Sequence, residues 1–286
     1  MFWALLRLLP EVKVSVPKAL PWIALVTVWI VWGSTYLGIR VAVHTIPPFL
    51  MARTRYIIAG SLLYAILLVT NRAQHRWPSR VAWKSLAIRG FALLVVGNGL
   101  VCFAEQQIAS SVAALLVATV PMFMIVIEAL SVKKRVAGWS IVGLATGSLG
   151  IVMLVGLPGG AMPIVPAILL IVAALSWAAG SVYAHQREEG QMSPFQPALE
   201  MVIGGTGLLI VGLIAGELQN FAFANVSRSS LLGMVWLIGP GAMLGYSAYA
   251  YAIRMLPTGI VSTYAYINPA AARDSRTFHI RRFHRA

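Results

Sequence analysis

The sequence predicts an all-α polytopic membrane protein. It is expected to consist of two inverted five-helix repeats, the second incomplete, with about nine of ten transmembrane helices. Three observations carry this expectation. The chain is 59% hydrophobic and 10% charged, against roughly 45–50% and about 25% in soluble domains. Apolar runs of bilayer-spanning length recur from Trp22 to Ala272. Finally, Trp32-Gly33-Ser34-Thr35-Tyr36 returns as Trp177-Ala178-Ala179-Gly180-Ser181-Val182-Tyr183, which sets the Gly-Ser-x-Tyr grammar 147 positions apart (180 minus 33). That is about half the chain, so two copies of one unit are implied. A five-helix unit reverses direction at its end, so its second copy is inverted, as in many secondary transporters.

Nine apolar runs are read in order: Trp22–Val43, Leu50–Thr70, Trp83–Cys102, Ser111–Leu130, Gly138–Leu157, Val165–Ala184, Phe195–Ala215, Leu231–Tyr251 and Thr258–Ala272. The second run carries Arg55 to Gly60, which lines up with Glu200 to Gly205 in the seventh. The fourth carries Pro121 and the ninth Pro269, 148 positions apart (269 minus 121). A proline inside a spanning helix frees a carbonyl and is tolerated beside a cavity. The expected organisation is a cytoplasmic segment over residues 1–21, a first repeat over 22–157, a second of four helices over 163–272, and a basic tail over 273–286.

Orientation follows from the loops. Arg72, Arg76, Arg80 and Lys84 follow run two; Lys133, Lys134 and Arg135 follow run four; Arg187 and Arg254 follow runs six and eight. The alternate connections are nearly bare of positive charge, which puts the amino terminus in the cytoplasm. Lys133 and His75 are then cytoplasmic and Pro158 to Gly160 extracytoplasmic. The tail carries five arginines and would emerge on the far side, against the charge rule. A missing tenth helix is therefore expected, through a frameshift or an early end, with instability as its consequence.

The formal charge of +14 fits loop arginines and lysines and points to no nucleic-acid partner. The single Cys102 forms no internal disulfide, and no metal-ligand spacing is present. No phosphate-cradling Gly-Lys-Ser/Thr loop supports ATP-driven pumping. No cofactor is expected. A lipid bilayer and a small-molecule substrate are the expected partners, with a homodimer open.

At particular residues the chain resembles the EamA-type members of the drug/metabolite transporter superfamily. They are the Trp-Gly-Ser-Thr-Tyr opening, Ile46-Pro47-Pro48-Phe49, Arg55…Ala59-Gly60, Gly97-Asn98-Gly99, Glu105-Gln106-Gln107, Val117 to Pro121, and Ser262 to Pro269. The resemblance covers roughly residues 22–269 and stops there. It implies ten helices in two inverted repeats and a bacterial inner membrane. It also implies export of small metabolites, amino acids and toxic compounds among them, in exchange for protons.

The expected substrate-binding set is Trp32, Ser34, Tyr36, Arg55, Asn98, Trp177, Ser181, Tyr249, Tyr264 and Asn268. A charge inside the hydrocarbon costs at least about 2.5–3.5 kcal/mol on insertion scales, so Arg55 should face a cavity or a partner. The aromatic residues equally suit packing or an interface belt. Glu200 is the expected proton-coupling carboxylate, as a lone acid inside run seven with no cation at helical spacing beside it. Arg89 is read as a snorkelling anchor, Glu128 as the partner of Lys133 and Lys134, and Glu105 as part of an outer vestibule. The chain is read as no enzyme. A membrane enzyme acting on lipid is the competing class and would want His, Asp and Glu clustered at one face. A non-transporting remnant is the third.

Overall fold

The structure is a computed structural model that describes residues 18–72, 75–133, 136, 138–155, 163–187, 193–219 and 221–269. Among them there is no strand. The helices are α1 (Leu20–Ala42), α2 (Pro48–Thr70), α3 (Arg80–Ala104), α4 (Ser110–Ser131), α5 (Gly138–Val155), α6 (Ile164–Gln186), α7 (Phe195–Ile214), α8 (Arg228–Met255) and the short α9 (Thr258–Val261). All but α5 and α9 are long and apolar enough, among the described residues, to cross a membrane. The ninth run is not one continuous helix. It is α9, a turn at 262–263, and a helical piece over 264–269. The tail and the 158–160 connection lie outside the described residues.

Helix starts follow from local chemistry. Pro48 occupies the first turn of α2 and Pro21 that of α1, where the missing N–H costs nothing. Ser79 and Ser227 cap α3 and α8; their hydroxyls accept from Ala82 N at 3.2 Å and Ser230 N at 3.1 Å. The two caps stand 148 residues apart (227 minus 79).

α3 and α8 share a second peculiarity. Gly90–Asn98 and Leu237–Tyr246 are wound as π-helix, and they begin 147 residues apart (237 minus 90). Such wide turns are rare and gather at functional sites.

α2 and α7 cross closely because glycines let their backbones meet. A Cβ on Gly60 would lie 2.6 Å from the Ala198 carbonyl oxygen. One on Gly205 would lie 2.7 Å from the Ile57 side chain and 3.2 Å from the Arg53 carbonyl oxygen. A shift of 145 positions turns Gly60 into Gly205 and Arg53 into Ala198, so the two contacts exchange. Gly97 against Trp177 and Gly245 against Trp32 exchange in the same way, with shifts of 145 and 148.

Ile30, Val69 and Leu130 stand exposed on spanning helices, which suits surface meant for lipid rather than water. At the end of α7, Gly216 turns the chain with φ +71°. That turn sends Glu217 back onto α2, where Oε1 accepts from Phe49 N at 3.1 Å and Oε2 from Leu50 N at 2.7 Å. A carboxylate on the exposed amides of a helix start satisfies donors that have no intrahelical partner. Its partial burial still pushes the Glu217 carboxyl upward, with those two amides pulling it back.

Candidate functional site

A cavity of about 60 Å³ opens at the centre of the bundle. One water needs about 10–15 Å³ on the same measure, so it has room for several waters or one small solute. α1 contributes Trp32, Thr35, Tyr36 and Ile39; α2 contributes Arg55 and Tyr56; α3 contributes Gly97, Asn98 and Val101. Val117, Ala173, Ala174, Trp177, Tyr246, Tyr264 and Asn268 close it. Both π segments reach this wall, through Gly97 and Tyr246.

The aromatic part of the wall is one connected cluster. Trp32 meets Trp177 edge-on with centroids 5.4 Å apart, Tyr264 edge-on at 5.2 Å, and Tyr249 tilted at 4.9 Å. The Trp32 indole N–H donates to the Gly241 carbonyl at 3.2 Å, inside the π segment of α8. A Cβ on Gly245 would lie 2.6 Å from Trp32 Nε1 and push the indole out of place.

Seven of the expected substrate residues line this cavity: Trp32, Tyr36, Arg55, Asn98, Trp177, Tyr264 and Asn268. Three do not. The Ser181 hydroxyl is fully buried against Tyr249 at 2.5 Å and the Trp177 carbonyl at 2.6 Å. Tyr249 also accepts from the Trp177 indole N–H at 3.1 Å. Ser181 and Tyr249 thus stand behind the wall and fix its rings. The Ser34 hydroxyl donates to the Val31 carbonyl and accepts from Trp236 Nε1, away from the cavity.

Arg55 is 3% exposed, and its Nε and Nη1 are buried without a hydrogen-bond partner. Its guanidinium lies 4.7 Å from the Tyr56 ring centroid. Glu200 is also buried but lies outside the lining. Arg89 Nη2 approaches its Oε1 to 2.9 Å, and the Tyr246 hydroxyl donates to its Oε2 at 2.7 Å. Arg89 is therefore no snorkelling anchor: it is 1% exposed and faces α7 inside the bundle. The contact is close without hydrogen-bond alignment, and its Nε and Nη1 have no such partner.

Glu200 also borders a second recess, of about 20 Å³, with Ser193, Gln196, Ser247, Tyr251 and Arg254. That is room for one water. Gln196 Oε1 and Ser247 Oγ are buried there without protein partners. Tyr246 thus separates the central cavity from a carboxylate that borders the recess.

Tyr246 was missed in the sequence, and Arg89 was misread. Tyr246 had a signal: it stands 148 positions after Asn98 (246 minus 98), close to the repeat spacing. Glu128 accepts from the Thr258 hydroxyl; Lys134, one of its two expected partners, lies outside the described residues.

Glu105 is buried at the end of α3 rather than open to a vestibule. Burial pushes its carboxyl well above the usual carboxylate range, while Arg40 and Ser110 pull the other way. Arg40 itself donates to the Glu105 and Ile108 carbonyl oxygens, at 3.3 and 2.9 Å. A raised carboxyl holds in the fold a proton that the unfolded chain releases. Its stabilising contribution is complete below the ordinary carboxylate pKa and is lost as pH rises through the shifted value. Glu105→Gln is expected to remove that slope and to unfold at a higher temperature than the parent at alkaline pH. Equal pH slopes in thermal unfolding of the two proteins would refute it.

Comparison with known proteins gives four findings. Residues 20–156 match the EamA-like transporter family. The uncharacterized inner membrane transporter YedA of Escherichia coli K12 is 39% identical over 253 residues, 87% of this chain and 79% of that protein. The uncharacterized transporter YoaV of Bacillus subtilis 168 is 24% identical over 213 residues, 73% of this chain and 72% of that protein. Among solved structures, one crystal structure shares the fold with a TM-score of 0.70, at 17% identity, over 87% of this chain and 84% of that one.

Proposed function

This chain belongs to the EamA-like transporter family of the drug/metabolite transporter superfamily, and from that premise we propose that it exports small organic solutes across a bacterial inner membrane by alternating access. The observation that carries the reading is the cavity at the centre of membrane-length helices, largely apolar with Arg55, Asn98 and Asn268 in its wall and formed by both halves of the chain. Sites at the interface of two repeats are the rule in such carriers. The exchanged glycine contacts, the matching π segments and the matching serine caps support two inverted repeats, over 22–157 and 163–272, with the basic loops facing the cytoplasm.

The substrate set is Trp32, Tyr36, Arg55, Asn98, Trp177, Tyr264 and Asn268 at the cavity, with Ser181 and Tyr249 positioning the wall. Glu200 is the coupling carboxylate. Protonating it would release Arg89 and reverse the roles at the Tyr246 hydroxyl, so cavity and carboxylate respond to one another.

Two variants test this. Ala174→Trp fills the cavity from α6. Compounds enriched in the medium of cells producing the parent chain, measured by mass spectrometry, are expected to fall to the level of cells without it. An unchanged medium would remove the cavity from transport. For coupling, Glu200→Gln is expected to keep membrane abundance while uptake of such a compound into everted vesicles loses its response to an imposed pH gradient. A parental response would take Glu200 out of the mechanism.

A further inference from the structure

We infer that the central cavity selects its solute by charge: it takes an aromatic carboxylate that lacks a compensating ammonium group. The inference rests on the reading of this cavity as the substrate site. Its first support is Arg55. A guanidinium removed from water costs several kcal/mol unless it is paired, yet two of its nitrogens have no partner and it is 3% exposed. A carboxylate presents two acceptor oxygens that match two guanidinium N–H groups at once.

The second support is charge balance. Among the described lining residues there is no Asp or Glu. Of the buried acids behind the wall, Glu200 already faces Arg89 and Tyr246, and Glu105, beside Tyr36, accepts from the Ser110 hydroxyl and is held toward its neutral form by burial. A carboxylate therefore brings the cavity to neutrality. A zwitterionic amino acid would leave it with the same excess positive charge and bring a buried ammonium group that meets no anion. Asn268 Oδ1, buried without a partner, offers a neutral acceptor that suits a ring N–H or O–H but balances no charge. The third support is the aromatic part of the lining, where Trp32, Trp177 and Tyr264 meet edge-on and give an aromatic ring matching surface.

The test uses the purified full chain in detergent, in low-chloride buffer, with four matched probes: indole-3-acetate, indole-3-acetamide, tryptophan and tryptamine. Affinity is read by calorimetry and by the shift in unfolding temperature. Indole-3-acetate is expected to bind at least about tenfold more tightly than the other three, as a charge-assisted pair should. Arg55→Gln is expected to remove that preference, and Arg55→Lys to restore part of it, since the ammonium keeps the charge without the fork. Arg55→Gln should fold, because it deletes an unpaired buried charge.

Equal affinity for acid, amide and amino acid overturns the inference, as does failure of indole-3-acetate to bind or binding that survives Arg55→Gln. Ala174→Trp separates the two readings. If it abolishes binding that shows no acid preference, the cavity stands as the substrate site and only charge selection falls. If it leaves binding of the acid unchanged, the site assignment falls with it.

Discussion

Arg89→Ala is expected to cost about 3–5 kcal/mol of stability. The substitution removes the guanidinium that faces the buried Glu200 carboxylate and leaves it beside the Tyr246 hydroxyl and a recess with room for one water. The charge arithmetic extends to a second variant. Replacing both partners together, Arg89→Met with Glu200→Met, removes the stranded charge and both desolvation costs. Buried pairs exchanged for apolar groups are often neutral or stabilising, so the double variant should recover most of the loss. Thermal unfolding followed by size-exclusion chromatography in detergent measures both. An Arg89→Ala protein that unfolds with the parent would refute this.

Gly60→Val is the second large effect. At 2.6 Å from the Ala198 carbonyl oxygen, a first side-chain carbon has nowhere to go, because the obstacle is backbone. The Val202 side chain, at 2.9 Å, closes the other direction. α2 and α7 would have to separate along their shared face, and helices in lipid lack a hydrophobic drive to hold them together at a distance. The expected result is little or no folded protein in the membrane fraction. Gly150→Val, on α5, where a Cβ would meet nothing within 4 Å, should accumulate normally. Comparable abundance of the two proteins would sink the argument.

Much of this was legible in the sequence because lipid imposes a simple grammar. Runs such as Trp22–Val43 and Phe195–Ala215 are apolar on every side, and that alone sets the spanning helices. The repeated Gly-Ser-x-Tyr located Trp32 and Trp177, which do face the cavity. The same motif pointed equally to Ser34 and Ser181, because spacing tells which residues share a helix but not which way each helix turns. Arg89 was misread for a physical reason: a cation near a helix end reads alike whether it reaches for headgroups or for an acid. Its acid stands on α7, more than a hundred residues away. The π segments left no mark that composition could reveal, since any apolar, glycine-rich stretch winds either way. The Ser262-Thr263 turn within the ninth run was hidden by apolar neighbours on both sides.

The Glu217 contact has a kinematic consequence. It fastens the start of α2 to the end of α7, while Gly60 and Gly205 lock the same two helices at mid-length. Two helices joined at both places cannot slide or tilt against each other without breaking several contacts together. They form an axle. Under the alternating access proposed above, the parts left to swing around that axle are α1 and α6 with their aromatic rings, and the widened turns of α3 and α8. The seam between α2 and α7 would then be the stiff part of such a machine, and the flanks its moving parts.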